Sequence, residues 1–266
     1  MSIAADRFQG TCSSSQRRVA DVYLLGAGVS FPEHLTVETI DILSECKCIC
    51  TNLPEARLVG LPDDLRVKCK SLWGLYQDGR VRTKNYQDVT DAVVRTAEEA
   101  SPVAWLTPGH PLIFDSVSQA LLRIGEARGW SVRAVPAISC IDTLLAEVGY
   151  DPASGLIILD CTSMAKRHTP LVPSIAAIIL QPSVFGSDLA FLSSDHSGPN
   201  LTPLKEYLLS YYPSDHNCAF IRSAQTSGVE SLTTWVRLAD LDSIPFKTFA
   251  GSSLFLPRRD EKSSGT

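Results

Sequence analysis

The chain has 266 residues, of which 44% are hydrophobic and 20% are charged, and this usage excludes a disordered or fibrous protein. Its formal net charge of -5 lacks the basic excess of a nucleic-acid binder, and we interpret the pairs Arg17-Arg18 and Arg258-Arg259 as solvated tails. We see no apolar run of about 18 residues and no apolar segment near the start, so we expect neither a membrane span nor a secretory signal. A reducing, cytoplasmic location follows, in which the eight cysteines would be mostly thiols.

Apolar runs alternate with helical periodicity along the first half of the chain. The predicted strands are 22–25, 48–50, 103–106 and 131–135. The predicted helices start at Pro32, Tyr86 and Val117, and they end near Leu43, Pro102 and Gly129. This order predicts an α/β fold with a mostly parallel sheet and helices on its faces.

The second half is predicted to repeat this arrangement. Its predicted strands are 156–159, 175–180 and 218–221, and its predicted helices are 139–148, a segment near 202–210 and one from Trp235 to Leu238. We therefore predict two α/β lobes, residues 21–136 and residues 137–257. Residues 1–20 and 258–266 are predicted to be flexible tails.

Two loops that follow predicted strands are candidate ligand sites, because open α/β sheets bind ligands at the carboxyl ends of their strands. The first contains Gly26 and Gly28, where glycine permits a close backbone approach, although a tight strand–helix turn explains the pattern equally well. The second runs from Pro108 through His110 to Phe114. Its prolines stiffen it, and its histidine is either structural or aimed at a small molecule.

Other sequence patterns bear on metal binding and catalysis. Cys46, Cys48 and Cys50 would share one face of a strand, but without a C-x₂-C knuckle or a suitably spaced histidine they are better interpreted as small buried side chains than as metal ligands. The hydrolase elbow G-x-S-x-G and the phosphate-binding G-K-[ST] are absent. Residues 72–86 combine aromatic and basic side chains, which fits either a surface segment or an active-site lid.

Four motifs together resemble a known family. They are L-Y-x-x-G-x-x-R-x-x-x-Y from Leu75 to Tyr86, G-H-P-x-x-F from Gly109, P-x-I-S ending at Ser139, and Gly149-Tyr150-Asp151-Pro152. In this order they resemble the class III S-adenosylmethionine (SAM) methyltransferases of the tetrapyrrole methylase superfamily. Within that superfamily they look most like the borosin-type enzymes, which methylate backbone amide nitrogens of peptides.

The resemblance implies two α/β lobes with SAM in the cleft between them, S-adenosylhomocysteine as product, and no metal. The residues it implies for the cofactor are Gly26, Gly28, Pro108, His110, Ile113, Phe114, Ser139, Cys140, Gln181, Ser252 and Ser253. Tyr76, Arg82 and Tyr86 would surround the acceptor amide, with Trp73 as a further aromatic wall. Pro108 and Cys140 depart from the tyrosine and alanine that are usual in borosin enzymes.

An amide nitrogen is a poor nucleophile because its lone pair is delocalised into the carbonyl. Our hypothesis from the sequence is that Tyr86 acts as base, Arg82 lowers the pKa of that tyrosine, and Tyr76 holds the amide oxygen. Since only residues 258–266 follow Pro257, we expect the peptide substrate to be a separate precursor chain. The resemblance also implies a homodimer.

Two alternatives stay open at this stage. One is methylation of a tetrapyrrole or another small molecule on the same fold, for which Arg57, Arg66, Lys68, Lys70, Arg80 and Arg82 would supply cationic contacts. The other is a SAM-binding protein without catalysis.

Overall fold

The computed structural model describes residues 19–192, 197–226 and 228–259. Residues 1–18 and 260–266, which hold most of the two predicted tails, lie outside the described residues. Within the described residues the strands form two five-stranded sheets, one in each half of the chain. None of the helices in these ranges is both long and apolar enough to cross a membrane.

The first sheet is parallel throughout, as the sequence predicted, and its strand order is β3-β2-β4-β1-β5. Its central strands β1 and β4 are buried at every position, which explains their near-continuous apolar sequences. The strands are β1 Val22–Gly26, β2 Cys48–Thr51, β3 Cys69–Ser71, β4 Val103–Thr107 and β5 Val132–Ala134.

Helices cover both faces of this sheet. They are α1 Val37–Glu45, α2 Glu55–Leu58, α3 Asp63–Arg66, α4 Arg82–Ala100 and α5 Ser116–Arg128. The first three pack on one face, and α4 and α5 pack on the other through side chains such as Val89 and Leu121. The predicted start of α1 at Pro32 is wrong, because the Thr36 side chain accepts the Thr39 N–H and caps the helix there.

The second sheet has the order β6-β7-β10-β8-β9 and is mixed, so the predicted repetition of parallel pairing is wrong for this half. Only β6 and β7 pair in parallel, and the other neighbours are antiparallel. The predicted helix from Trp235 to Leu238 is also wrong, since Trp235 lies in a strand opposite Ala219. The strands are β6 Leu156–Asp160, β7 Ala176–Leu180, β8 Asn217–Arg222, β9 Leu232–Arg237 and β10 Ser253–Leu256.

The helices of the second half are α6 Cys140–Val148, α7 Cys161–Arg167, α8 Thr202–Leu209 and α9 Phe246–Phe249. Side chains of α6 pack on one face of the second sheet, whereas α7, α8 and α9 pack on the other. Both sheets are therefore sandwiched by helices. The carboxyl ends of β1 and β4 carry the two loops that the sequence marked as candidate sites.

Gly26 lies at the end of β1, where the loops that follow β1 and β4 pack closely against each other. A Cβ there would lie 2.1 Å from the Gly109 carbonyl oxygen and 2.5 Å from the Ala137 Cβ, and both neighbours are held by the surrounding backbone. We expect Gly26→Ala to lower the free energy of unfolding by about 1–3 kcal/mol, as overpacking does. Urea titration measures the change, with Gly74→Ala as the control because a Cβ at Gly74 meets no atom within 4 Å. Equal stability of the two variants would contradict the close packing.

Candidate active site

Backbone hydrogen bonds join the glycine loop after β1 to the loop after β4. Gly109 donates its N–H to the Gly28 carbonyl at 2.8 Å, and Gly28 donates to Gly109 at 3.3 Å. Gly28 has φ +71°, and a side chain there would collide with His34. These glycines thus shape the loops, and they are not among the residues that line the two cavities described below.

His110 and Ser139 are engaged in local structure. The His110 Nδ1 accepts the Leu112 N–H at 3.1 Å, which closes the turn in the second loop. Ser139 is buried and caps α6, donating its hydroxyl to Asp142 at 2.6 Å while accepting backbone N–H groups. Neither residue lines the cavities, and neither does Pro108. Their proposed contact with the cofactor stays a prediction.

A small cavity of about 360 Å³ lies between the two halves of the chain. The sequence predicted eight of its lining residues, namely Tyr76, Arg82, Tyr86, Phe114, Cys140, Gln181, Ser252 and Ser253. The remaining walls are mainly apolar and come from Leu180, Ser183, Val184, Ala190, Phe191, Leu192 and Gly251. The buried Ser252 hydroxyl has no hydrogen-bond partner among the described residues.

A larger groove of about 920 Å³ adjoins the small cavity, and Arg82, Tyr86, Phe114 and Gln181 line both. Ile113 is part of its wall, as are further apolar side chains from both halves. Its charged lining residues are Arg82, Arg123, Asp115, Asp160 and Asp188, that is, two cations and three carboxylates.

The aromatic–basic segment forms the junction between the two cavities. The rings of Tyr76 and Tyr86 meet edge to face with centroids 6.1 Å apart. Arg82 and Tyr86 are one turn apart at the start of α4, so both side chains lie on the same side of that helix. Trp73 is 40% exposed and stacks on Tyr76 with centroids 6.0 Å apart, but it lines neither cavity.

Arg82 also ties the two halves of the chain together. Its guanidinium donates to Gln181 Oε1 at 3.1 Å and to the Ser187 carbonyl at 2.7 Å. Its backbone N–H, which would otherwise be an unpaired donor at the start of α4, reaches the Asp188 carbonyl at 2.8 Å. Together with the bonds between residues 79–80 and Ala190, these contacts form what we call the interlobe ladder, residues 78–82 against 187–192.

Two residues that line both cavities have strained backbones. Phe114 has φ +58° and Gln181 has φ +61°, a region that side chains other than glycine adopt at a cost of order 1–3 kcal/mol. Strain of this kind clusters at functional sites, where the surrounding structure holds it in place. Both positions were predicted from the sequence as cofactor-binding residues.

Burial controls the protonation of the two tyrosines. Desolvation raises the pKa of Tyr76 and of Tyr86, and the charge of Asp115 raises both further. Arg82 lowers the pKa of Tyr86, as expected, but burial outweighs it. The pKa of Tyr86 therefore stays raised on balance, and both side chains are neutral phenols at neutral pH.

The cationic residues suggested for a tetrapyrrole are mostly engaged elsewhere. Arg80 pairs with Asp88 at 2.6 Å, and Arg66 pairs with Asp63 at 2.5 Å. The side chains of Arg57, Lys68 and Lys70 bond groups outside the cavities. Of the six, only Arg82 lines either cavity.

The cysteines near β2 are apolar packing residues. Cys50 is buried between the first sheet and α4, with Cys48 partly buried on the same side. Cys46 packs on the opposite face, so the expectation that all three share a face is wrong. The reason is that Cys46 ends α1 and precedes the strand.

Several lining residues escaped the sequence analysis. Asp115 ends a loop, Asp160 ends β6, and each caps the next helix, a pattern that the sequence does contain. The segment 187–192 carries no such signal, because it reaches the site only by pairing with residues about 110 positions earlier.

Comparisons with known proteins bear on this geometry. A family model described as Tetrapyrrole (Corrin/Porphyrin) Methylases matches residues 21–237. A methyltransferase/ribosomally synthesized cyclic peptide gymnopeptides precursor of Gymnopus fusipes is 24% identical over 210 residues, 77% of this chain and 49% of that protein. A methyltransferase/ribosomally synthesized type II borosin cyclic peptide precursor of Phlebiopsis gigantea is 23% identical over 249 residues, 92% of this chain and 44% of that protein. The chain thus spans about half the length of these curated relatives.

Among solved structures, uroporphyrin-III C-methyl transferase from Thermus thermophilus, complexed with S-adenyl homocysteine, matches with a TM-score of 0.58 at 18% identity. The match covers 89% of this chain and 91% of that chain. At this identity the similarity concerns the fold alone.

The charge of Arg82 gives a testable pH dependence. Because the guanidinium stabilises a phenolate at Tyr86, Arg82→Gln should raise the pKa of Tyr86 above its already raised value. Titration of ¹³Cζ-labelled tyrosine by NMR, with Tyr86→Phe to assign the signal, measures the midpoint. Arg80→Gln is the matched control, since Arg80 pairs with Asp88 and should leave that midpoint unchanged. A lower midpoint in Arg82→Gln would contradict the electrostatic description.

Proposed function

The chain belongs to the tetrapyrrole (corrin/porphyrin) methylases, which confirms the family, fold and methyltransferase class recognised in the sequence, and from this premise we propose that it methylates backbone amide nitrogens of a peptide with SAM. The observation that carries the proposal is the junction of the two cavities, where Tyr76, Arg82 and Tyr86 meet. The relatives named as borosin precursors support a peptide as acceptor.

The small cavity fits the cofactor. Its apolar walls at Phe114, Leu180 and Val184 suit an adenine ring, and the unpartnered Ser252 hydroxyl suits a polar group of adenosine. Gln181 and Cys140 would contact the ribose and methionine parts. SAM, when bound, supplies an electrophilic methyl group on a sulfonium, which needs no metal.

On the acceptor side, the chain's own groups would activate the amide. As neutral phenols, Tyr76 and Tyr86 would donate hydrogen bonds to the amide oxygen, and Arg82 would add positive charge there. These contacts favour negative charge on the oxygen and so make the amide N–H more acidic, and loss of that proton then leaves the nitrogen a lone pair for attack. Two of the five guanidinium N–H groups of Arg82 are used by Gln181 and Ser187, and these bonds fix its position.

The groove favours a peptide over a tetrapyrrole. A tetrapyrrole with several carboxylates needs several cations, whereas the groove offers two arginines against three aspartates. Its apolar walls instead suit an extended peptide chain that passes the junction. We also propose a homodimer, since exposed apolar side chains such as Trp73, Leu112 and Leu192 lie near the cavity mouths, and we propose that the peptide is a separate chain.

Substitution of Ser252 tests whether the small cavity binds the cofactor. We expect Ser252→Ala to weaken binding of S-adenosylhomocysteine about fivefold, because the variant loses one hydrogen bond worth about 1 kcal/mol. Calorimetry measures the affinity. Ser118→Ala is the matched control, since the Ser118 hydroxyl is equally buried and unpartnered but lies on α5, outside both cavities. Equal affinity in both variants would remove Ser252 from the cofactor site.

Tyr86 tests the reaction. The chain is supplied with SAM and a library of randomised 20-residue peptides, either fused to its carboxyl end or added as separate chains. We expect +14 Da increments on backbone amides in fragment spectra, and a loss of about 100-fold or more in Tyr86→Phe with S-adenosylhomocysteine binding retained.

Tyr212→Phe is the matched control for this experiment, because the Tyr212 hydroxyl is buried in the core of the second half and has no hydrogen-bond partner in the part of the chain that the structure describes. Methylation of uroporphyrinogen III in place of any peptide would favour the tetrapyrrole alternative. Binding of S-adenosylhomocysteine with no product from either probe would favour the non-catalytic one.

A further inference from the structure

The proposed reaction leaves one proton without an acceptor. Transfer of a methyl group to an amide nitrogen releases the N–H proton, and both tyrosines at the junction are already protonated. Arg82 is a cation and can only donate. The acceptor must therefore be another group that faces the same groove.

We propose that Asp115 is a further catalytic residue, whose carboxylate takes up the amide proton directly or through one water molecule. The inference rests on the proposed function and names the base within that same site. Asp115 lines the groove beside Arg82, Tyr86 and Phe114, and it is only partly buried.

Two strong donors hold the carboxylate in place. The indole Nε1 of Trp105, a side chain with no exposure at the centre of β4, donates to Asp115 Oδ2 at 3.0 Å. The backbone N–H of Ser118 donates to Oδ1 at 3.0 Å, which caps α5. Each carboxylate oxygen has two lone pairs, so each keeps one that can accept a proton or a water. A base held by a rigid strand and a helix start is preorganised for this task.

The other two carboxylates of the groove are placed less well. Asp188 belongs to the interlobe ladder, its side chain is 77% exposed, and its carboxylate lies 3.9 Å from the Lys166 ammonium. Asp160 caps α7 in the second half of the chain through the Ser163 N–H. The charge of Asp115 raises the pKa of both Tyr76 and Tyr86, in keeping with its place in the groove lining beside Tyr86.

The charged and titratable groups that face Asp115 come from every element around the groove and junction. They are Tyr76, Arg82, Tyr86, Arg123, Asp160 and Asp188. The two arginines add positive charge to this lining, and the two phenols are hydrogen-bond donors. Since Arg82 is held by Gln181 and Ser187, it does not close a direct ion pair with Asp115 among the described contacts, and the carboxylate stays available as a base.

Proton transfer to Asp115 accompanies methyl transfer to the amide nitrogen in the proposed step. The amide N–H bond breaks and its proton passes to Asp115, while the nitrogen forms a bond to the methyl carbon. The bond between that carbon and sulfur breaks with its electron pair going to sulfur, which becomes a neutral thioether. The proton on Asp115 then returns to solvent through the open groove.

The test measures single-turnover methylation of a fused peptide from the library above. We expect Asp115→Asn to slow the reaction about 100-fold or more, because a carboxamide cannot take up the proton. We expect Asp115→Ser to slow methylation by the same factor, and this variant keeps the helix cap because serine is also a good capping residue. Both variants should bind S-adenosylhomocysteine like the parent chain.

Asp21→Asn is the matched control. The Asp21 carboxylate also holds a backbone N–H, that of Ser131 at 2.8 Å, and the Ser101 hydroxyl at 3.3 Å, but it precedes β1 at the opposite edge of the sheet. The methylation rate of Asp21→Asn should stay within twofold of that of the parent chain. Rates within threefold of the parent in either Asp115 variant would overturn the assignment and leave the proposed function intact. Absence of peptide methylation by the parent itself would overturn both.

Discussion

The site depends on the hydrogen-bonded contact between the two halves of the chain. Residues 79–82 and 188–190 pair through backbone groups, and the side chains of Asp78 and Arg82 extend this pairing to Leu192 and to Gln181 and Ser187. Neither half forms the lining of the small cavity alone, because Tyr76, Arg82 and Tyr86 come from the first half and Gln181 from the second. In the proposed function the ladder would set the distance between cofactor and acceptor, and methyl transfer requires reacting atoms roughly 3–3.5 Å apart.

The second constraint is desolvation. Taking two phenols out of water raises the pKa of both, and a single neighbouring guanidinium does not reverse this. In the proposed reaction a neutral phenol is useful, because it can donate a hydrogen bond to the amide oxygen as negative charge develops there. The amide proton must then be accepted by a residue other than the two tyrosines.

The charge distribution in the groove limits the class of acceptor substrate that would fit it. The chain as a whole is only mildly acidic, and its basic residues are spread over surface pairs such as Arg80 with Asp88. What remains at the groove is a mixture of two arginines and three aspartates between apolar walls. Such a lining suits a neutral, extended acceptor better than a ring carrying several carboxylates.

The sequence by itself determined the α/β class and the parallel first sheet, and its resemblance to a known family pointed to some of the cavity-lining residues, such as Arg82, Tyr86 and Gln181. These follow from local signals: buried apolar runs, helix caps, and motifs such as Gly109-His110-Pro111. Only the tertiary structure decided the mixed pairing of the second sheet, where Trp235 joins a strand because a partner strand is available to it. The same holds for the raised pKa of Tyr86 and for the place of Asp115 beside it, since burial and long-range proximity depend on segments that are distant in the chain. Hydrogen-bond partners and desolvation are properties of the assembled fold, and no local pattern encodes them.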